Sequence, residues 1–114
     1  MEGFDTDWRG LLEDTRTAVV SGRSNWFEAG LLPLLEAAAA EKRLRKYHPF
    51  TSMSRLCFAE SRYPFQGLQP AYIESLPKGP LRVYSGSPYP GDGPVVLETD
   101  SPAEAVAELC RRVR

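Results

Sequence analysis

The chain has 114 residues, of which 42% are hydrophobic and 25% charged, with a formal net charge of −1. These values exclude wholesale disorder, and the length suits one domain over residues 1–114 with little room for a second. A domain of this size buries roughly two-thirds of its unfolded surface, enough for a core without disulfide staples.

The first predicted element is a helix starting near Asp5 or Thr6, either of which can cap free backbone N–H groups. Trp8, Leu11, Leu12, Thr15 and Val19 recur at helical spacing and form its inner face. Gly22 is placed to end it, and Ser24 and Asn25 are caps for a turn holding Trp26 and Phe27. Proline fits the first turn of a helix better than its interior, so the second helix is predicted from Pro33 to Arg45. Leu34, Leu35, Ala38 and Leu44 face inward on it, and Lys42, Arg43, Arg45 and Lys46 fall at its C-terminal end, where cations complement the helix dipole.

After His48-Pro49 the hydrophobic period changes. Arg55 to Ala59 alternates as a strand with Leu56 and Phe58 on one side, and Ala71 to Leu76 is a weaker strand candidate. Pro77 to Pro80 reads as a turn, Leu81 to Tyr84 alternates again, and Val95 to Glu98 is the last strand. Between them, Gly86 to Pro94 is too rich in proline and glycine for regular structure and reads as an exposed hairpin loop. Tyr84 and Tyr89 give it an adaptable contact surface. Ser101-Pro102-Ala103-Glu104 is a capping box, and Val106, Leu109, Cys110 and Val113 supply the stripe of a final helix. The fold class is therefore α+β. Two N-terminal helices precede a three- or four-stranded, mainly antiparallel sheet, and a C-terminal helix packs on one face.

Charge is segregated along the chain: residues 1–41 carry a net −5, residues 42–62 a net +5 and residues 63–110 a net −4. A short basic segment between acidic ones can steer an anion, but it is not the broad basic surface of a nucleic-acid binder. No membrane span is expected, because the apolar stretch from Gly30 to Ala40 is short and interrupted by Pro33 and Glu36. Met1 to Asp5 lacks the basic region and apolar run of a signal peptide, and two cysteines suit a reducing compartment, so the expected location is cytoplasmic.

No catalytic motif of known chemistry is present, so no catalytic residue is assigned. His48, the single histidine, could act as a base, but a loop histidine packed beside Pro49 and Phe50 is the plainer reading. Cys57 and Cys110 read as small buried hydrophobes. One histidine and two distant cysteines make no tetrahedral metal set, and no cofactor is expected. The densest segment is Leu44 to Ser52, which combines cations, aromatics and hydroxyls where a helix gives way to the sheet. Arg45, Lys46, Tyr47, His48, Phe50, Thr51 and Ser52 are the candidate binding residues, with the two cations placed to receive a carboxylate or phosphate. The alternative is a structural corner in which Leu44, Tyr47 and Phe50 are anchors and the charges are solvated.

This segment also carries a resemblance. Ala37 to Ser52, followed by Leu56-Cys57-Phe58 and Tyr63-Pro64-Phe65, resembles a family of short actinobacterial proteins labelled as natural product biosynthesis proteins and otherwise of unknown function. Val95-Val96-Leu97 and Ser101 to Val106 fit the family's closing strand and helix, and the resemblance covers about residues 31–113. Met53 stands where that pattern has a polar residue or histidine. The resemblance implies a place in a biosynthetic gene cluster and no reaction type. In that setting the lack of a catalytic set, the basic corner and the Tyr/Pro loop favour an accessory binding protein that holds a precursor peptide, a small-molecule intermediate or a biosynthetic enzyme, with a homodimer also possible through open sheet edges. The alternatives are a cofactor-free cyclase or isomerase using His48, Tyr47, Arg45 and Glu60, or self-resistance by sequestering the product.

Overall fold

A computed structural model describes residues 2–22, 26–61, 66–76, 78–89, 91 and 93–113, without the side chains of residues 2–6 and 26–29. The expected caps Ser24 and Asn25, the Tyr63-Pro64-Phe65 motif, Pro77, Pro90 and Asp92 lie outside the described residues, as do the side chains of Asp5, Thr6, Trp26 and Phe27. The elements run α1 (Glu2–Val20), α2 (Trp26–Ala39), β1 (His48–Ser52), β2 (Arg55–Ala59), β3 (Ala71–Glu74), β4 (Leu81–Ser85), β5 (Val95–Thr99) and α3 (Pro102–Cys110). The five strands form one antiparallel sheet in the order β1-β2-β3-β4-β5. The α+β class is as the sequence predicts, with helices at both ends and one more strand than the upper expectation.

The extra strand is β1. Its polar and proline-containing sequence, His48-Pro49-Phe50-Thr51-Ser52, reads as a loop, yet it pairs along its length with β2, from His48 opposite Ala59 to Ser52 opposite Arg55. The two-residue connection between them contains neither glycine nor asparagine. Met53 adopts φ +58 there, a conformation that L-residues rarely take, and its side chain is exposed.

The helices also differ in their bounds. α1 begins at Glu2, ahead of the Asp5 or Thr6 cap, and stops before Gly22, which has φ +73 as expected. α2 starts at Trp26 and carries Pro33 in its interior, then ends at Ala39 instead of Arg45. The proline ring costs that turn a backbone bond. Pro33 sits on the exposed side, while Leu31, Leu34 and Leu35 around it are buried and hold the helix against the core. From Glu41 to Tyr47 the chain continues as successive i→i+3 turns. The cations at 42–46 are therefore beyond the helix, but Arg45 reaches back, and its Nη1 donates to the Ala39 carbonyl at 3.2 Å.

One core joins the helices to one face of the sheet. It contains Trp8 of α1, Leu31, Leu34, Leu35 and Ala38 of α2, and Ala105, Val106, Leu109 and Cys110 of α3. Against them lie Leu56, Phe58, Ala71, Ile73 and Val83. Trp8 organises the end nearest β1. Its indole N–H donates to the Tyr47 carbonyl at 2.9 Å, its ring stacks on Phe58 at 5.8 Å, and the Arg45 guanidinium lies over it. The capping box at α3 forms with one change of partner. The Glu104 N–H donates to Ser101 Oγ as expected, while the Glu104 carboxylate accepts from the Thr99 hydroxyl. Cys57 belongs to a second, smaller cluster with Phe50, Ala59 and Tyr72, whereas Cys110 belongs to the helix-side core. Packing α3 on the sheet thus leaves the two thiols in different clusters, and both are free.

Two outcomes test this packing. Trp8→Phe keeps an aromatic ring but removes the indole N–H that reaches the Tyr47 carbonyl and part of the buried volume, and it is expected to cost at least about 1–3 kcal/mol in urea denaturation. Burial pushes the Cys57 thiol up to about 12 from the ordinary 9.0. The unfolded thiol ionises first, so this group's contribution to stability is intact below pH 9.0 and declines as the pH rises toward about 12. Thiol labelling at pH 8 should accordingly modify Cys57 at the rate of unfolding, and Cys57→Ala should flatten the alkaline loss of stability.

Candidate functional site on the outer face of the sheet

The alternation of side chains sends every second residue of each strand away from the helices. In β1 these are His48, Phe50 and Ser52, in β2 Arg55, Cys57 and Ala59, in β3 Tyr72 and Glu74, and in β4 Arg82 and Tyr84. Tyr72 is 1% exposed and its ring stacks on Tyr84 with centroids 4.8 Å apart and planes 6° from parallel. The Arg55 guanidinium lies over the Tyr72 ring at 5.4 Å. On the other side the Tyr84 hydroxyl donates to Glu74 at 2.9 Å, and Arg82 bridges Glu74 and Glu98. Burial together with the Glu74 carboxylate holds the Tyr84 phenol above its ordinary range. A cation, two stacked rings and an ion-paired acid thus form one row across the sheet.

The loop from Gly86 to Pro94 returns over this row as a strap. Pro88 is fully buried, and its carbonyl accepts from Arg55 Nη1 at 2.8 Å. The Tyr72 hydroxyl donates to the Gly91 carbonyl at 3.3 Å, and the Tyr89 hydroxyl donates to Ser52 Oγ at 2.6 Å. Those three bonds tie the strap to β3, β2 and β1. Its glycines have steric work: a Cβ on Gly91, which has φ +83, would stand 2.8 Å from Arg55 Nη1. A Cβ on Gly93 would collide with the Ser85 carbonyl oxygen. The strap is close-fitting, but its tip is open, with Tyr89 half exposed.

The sequence-predicted residues divide between this face and the corner before β1. Arg45 is engaged with Ala39 and Trp8, and Tyr47 is buried in the helix-side core. Lys46 is exposed with its ammonium over the Tyr47 ring at 5.3 Å. His48 is the first residue of β1 and not a loop histidine; its Nδ1 lies 2.9 Å from Asp7 Oδ2 of α1, both side chains being mostly buried. Thr51 is exposed on the edge strand, and Glu60 is exposed beyond β2 beside Gly67. Phe50 and Ser52 reach the outer face, and His48 shares it at the start of β1, its ring stacked on Phe50 with centroids 6.4 Å apart.

Arg55, Tyr72 and the carbonyls of Pro88 and Gly91 were not among the sequence candidates. Arg55 looks like an ordinary strand-opening cation, and the signal that marks it is its place opposite Ser52 in the tight hairpin. Arg16, Arg82, Arg111 and Arg112 each meet a carboxylate. Arg55, half-buried, meets a neutral carbonyl and a ring instead, with no carboxylate partner among the described residues.

Among the described residues, no group of three or more His, Cys, Asp or Glu side chains is placed to hold a metal ion. No described helix is long and apolar enough to cross a membrane. No curated protein and no solved structure matches the chain. A family model matches residues 4–113, nearly the whole length, and on that match the chain belongs to DUF6193, a family of unknown function.

Proposed function

We propose that this protein is an accessory binding protein of natural product biosynthesis, which holds a peptide precursor, a pathway intermediate or a partner enzyme on the outer face of its sheet. The pathway setting rests on the resemblance carried by residues 37–52 and the closing strand and helix. The binding role rests on the row Arg55, Tyr72 and Tyr84 beneath a strap tied down by polar bonds. Stacked aromatics with an adjoining cation and a few hydroxyls are the composition of a recognition surface. Its components are donors and ring faces, without a nucleophile–base pair between them.

A second reading, a cofactor-free enzyme, draws on the His48–Asp7 pair, since a carboxylate at Nδ1 can orient an imidazole for proton transfer. Tyr47 and Arg45, proposed with it, are engaged in the corner, which favours binding over catalysis.

Native mass spectrometry of the protein purified gently from its host separates these readings. The binding account expects the wild type to retain a discrete mass that is released unchanged. It expects Tyr89→Asp, an exposed change on the strap, to lose that mass with its melting temperature kept. A retained molecule that is converted on standing, and is no longer converted by His48→Ala, would establish the enzyme instead.

A further inference from the structure

The guanidinium of Arg55 has five N–H donors, as any arginine does, and one of them is satisfied by the Pro88 carbonyl. The group lies over the Tyr72 ring, 5.4 Å from its centroid. Around it stand Ser52, directly opposite on β1, and the Tyr89 hydroxyl that donates to it. Two residues along the same strand lies Cys57, buried and held neutral up to about pH 12, so it offers no countercharge. Glu74 stands directly opposite Arg55 across β2 and β3, but it meets the Tyr84 hydroxyl at 2.9 Å and Arg82 at 3.7 Å, both through Oε1. An arginine lying over a ring, with one of its donors on a neutral carbonyl and no ion pair among the described residues, has the chemistry to recognise a carboxylate.

We infer that Arg55 is the anion receptor of the outer face, and that its ligand carries a carboxylate joined to an aromatic or similarly flat apolar group. This rests on the binding reading above and names the chemistry it would take. The strap carbonyl occupies the receptor in the unliganded protein. A carboxylate replaces it, trading a neutral acceptor for a charged one, and such bonds are roughly twice as strong. The flat group lies beside Tyr89, the half-exposed ring at the tip of the strap. Single-arginine recognition suits a monoanion better than a phosphate dianion, and the Glu74 carboxylate opposite Arg55 disfavours higher negative charge.

The ligand carboxylate has two sources, a free small acid or the C-terminus of a peptide, and the probes separate them. In a ¹H–¹⁵N NMR titration of the full chain, phenylacetate represents the free acid and N-acetylphenylalanine the peptide terminus. Phenylacetamide and N-acetylphenylalaninamide are the uncharged controls, and inorganic phosphate is the competing anion. Saturable shifts are expected at the amides of Ser52, Arg55, Tyr72 and Tyr89 with at least one carboxylate probe and with neither amide. Whichever carboxylate saturates at lower concentration identifies the source. Arg55→Gln should remove the response while its spectrum stays dispersed, and Arg55→Lys should weaken it, because an ammonium lacks the fork. Tyr89→Phe removes the strap's bond to Ser52 and should tighten carboxylate binding, a gain that misfolding would not give.

Equal shifts from the amide probes, binding retained by Arg55→Gln, stronger binding of phosphate, or no saturation by either carboxylate would each overturn the inference. The wider binding reading fails separately. If the host-purified protein keeps its bound mass in Arg55→Gln, the protein is a binder and Arg55 is not its anion receptor.

Discussion

All three helices pack on one face of the sheet, so the opposite face has to be desolvated by loops. That constraint governs the outer side of the molecule. Phe50, Cys57, Ala59 and Tyr72 are buried there, and among the described residues no helix side chain belongs to their cluster. Among the described residues, cover comes from Leu68 in the β2–β3 connection and from the strap, whose Pro88 is its one fully buried side chain. The rest of the strap is held by hydrogen bonds, each worth on the order of 1 kcal/mol net. The helix side is held by a continuous apolar core from Trp8 to Val113, and buried apolar side chains contribute roughly 1.5–3 kcal/mol apiece. The two faces are therefore unequal in stability, and the weaker one carries the cation, the stacked rings and the exposed tyrosine. Segments that admit ligands are drawn from this low-stability end of a fold.

The basic corner before β1 is used mainly by the structure itself. α2 stops at Ala39, short of its neighbouring cations, and the carbonyl left at that end is met by Arg45 returning from six residues on. Arg45 also closes over Trp8, whose indole N–H fixes the Tyr47 carbonyl, and His48 then meets Asp7. Those contacts set where β1 begins, and its register with β2 places Ser52 opposite Arg55. The corner thus positions the outer-face site without lining it.

Legibility in the sequence followed the range of the interaction that decided each feature. The α3 cap is settled by Ser101, Pro102 and Glu104 within one turn, and β2 and β4 by alternation over five residues; all were readable. β1 was not, because Pro49 and the polar Thr51 and Ser52 suppress the strand signal, and Met53 at positive φ gives no turn signature. Its strand character comes from pairing with β2. Pro33 misled the start of α2 because its local penalty is outweighed by three leucines buried around it. In the candidate set, Phe50 and Ser52 were legible as part of a dense segment. Arg55 was not, since what distinguishes it is that it forms no ion pair among the described residues and takes a carbonyl supplied from Pro88. The strap was readable as a loop, but its return over the sheet was not.

Native-state hydrogen exchange, resolved by residue, is the most direct measurement of the inequality between the two faces. The account predicts that the strap amides with acceptors, Gly86 on the Pro70 carbonyl and Tyr89 on Ser87 Oγ, exchange through a local opening well below the free energy of global unfolding. The amides of β2 and β3 should exchange only through global unfolding. Exchange of the strap amides at the global free energy, in step with those strands, would mean that the strap is part of the cooperative core. The outer face would then be closed, and the account of it as the binding face would be contradicted.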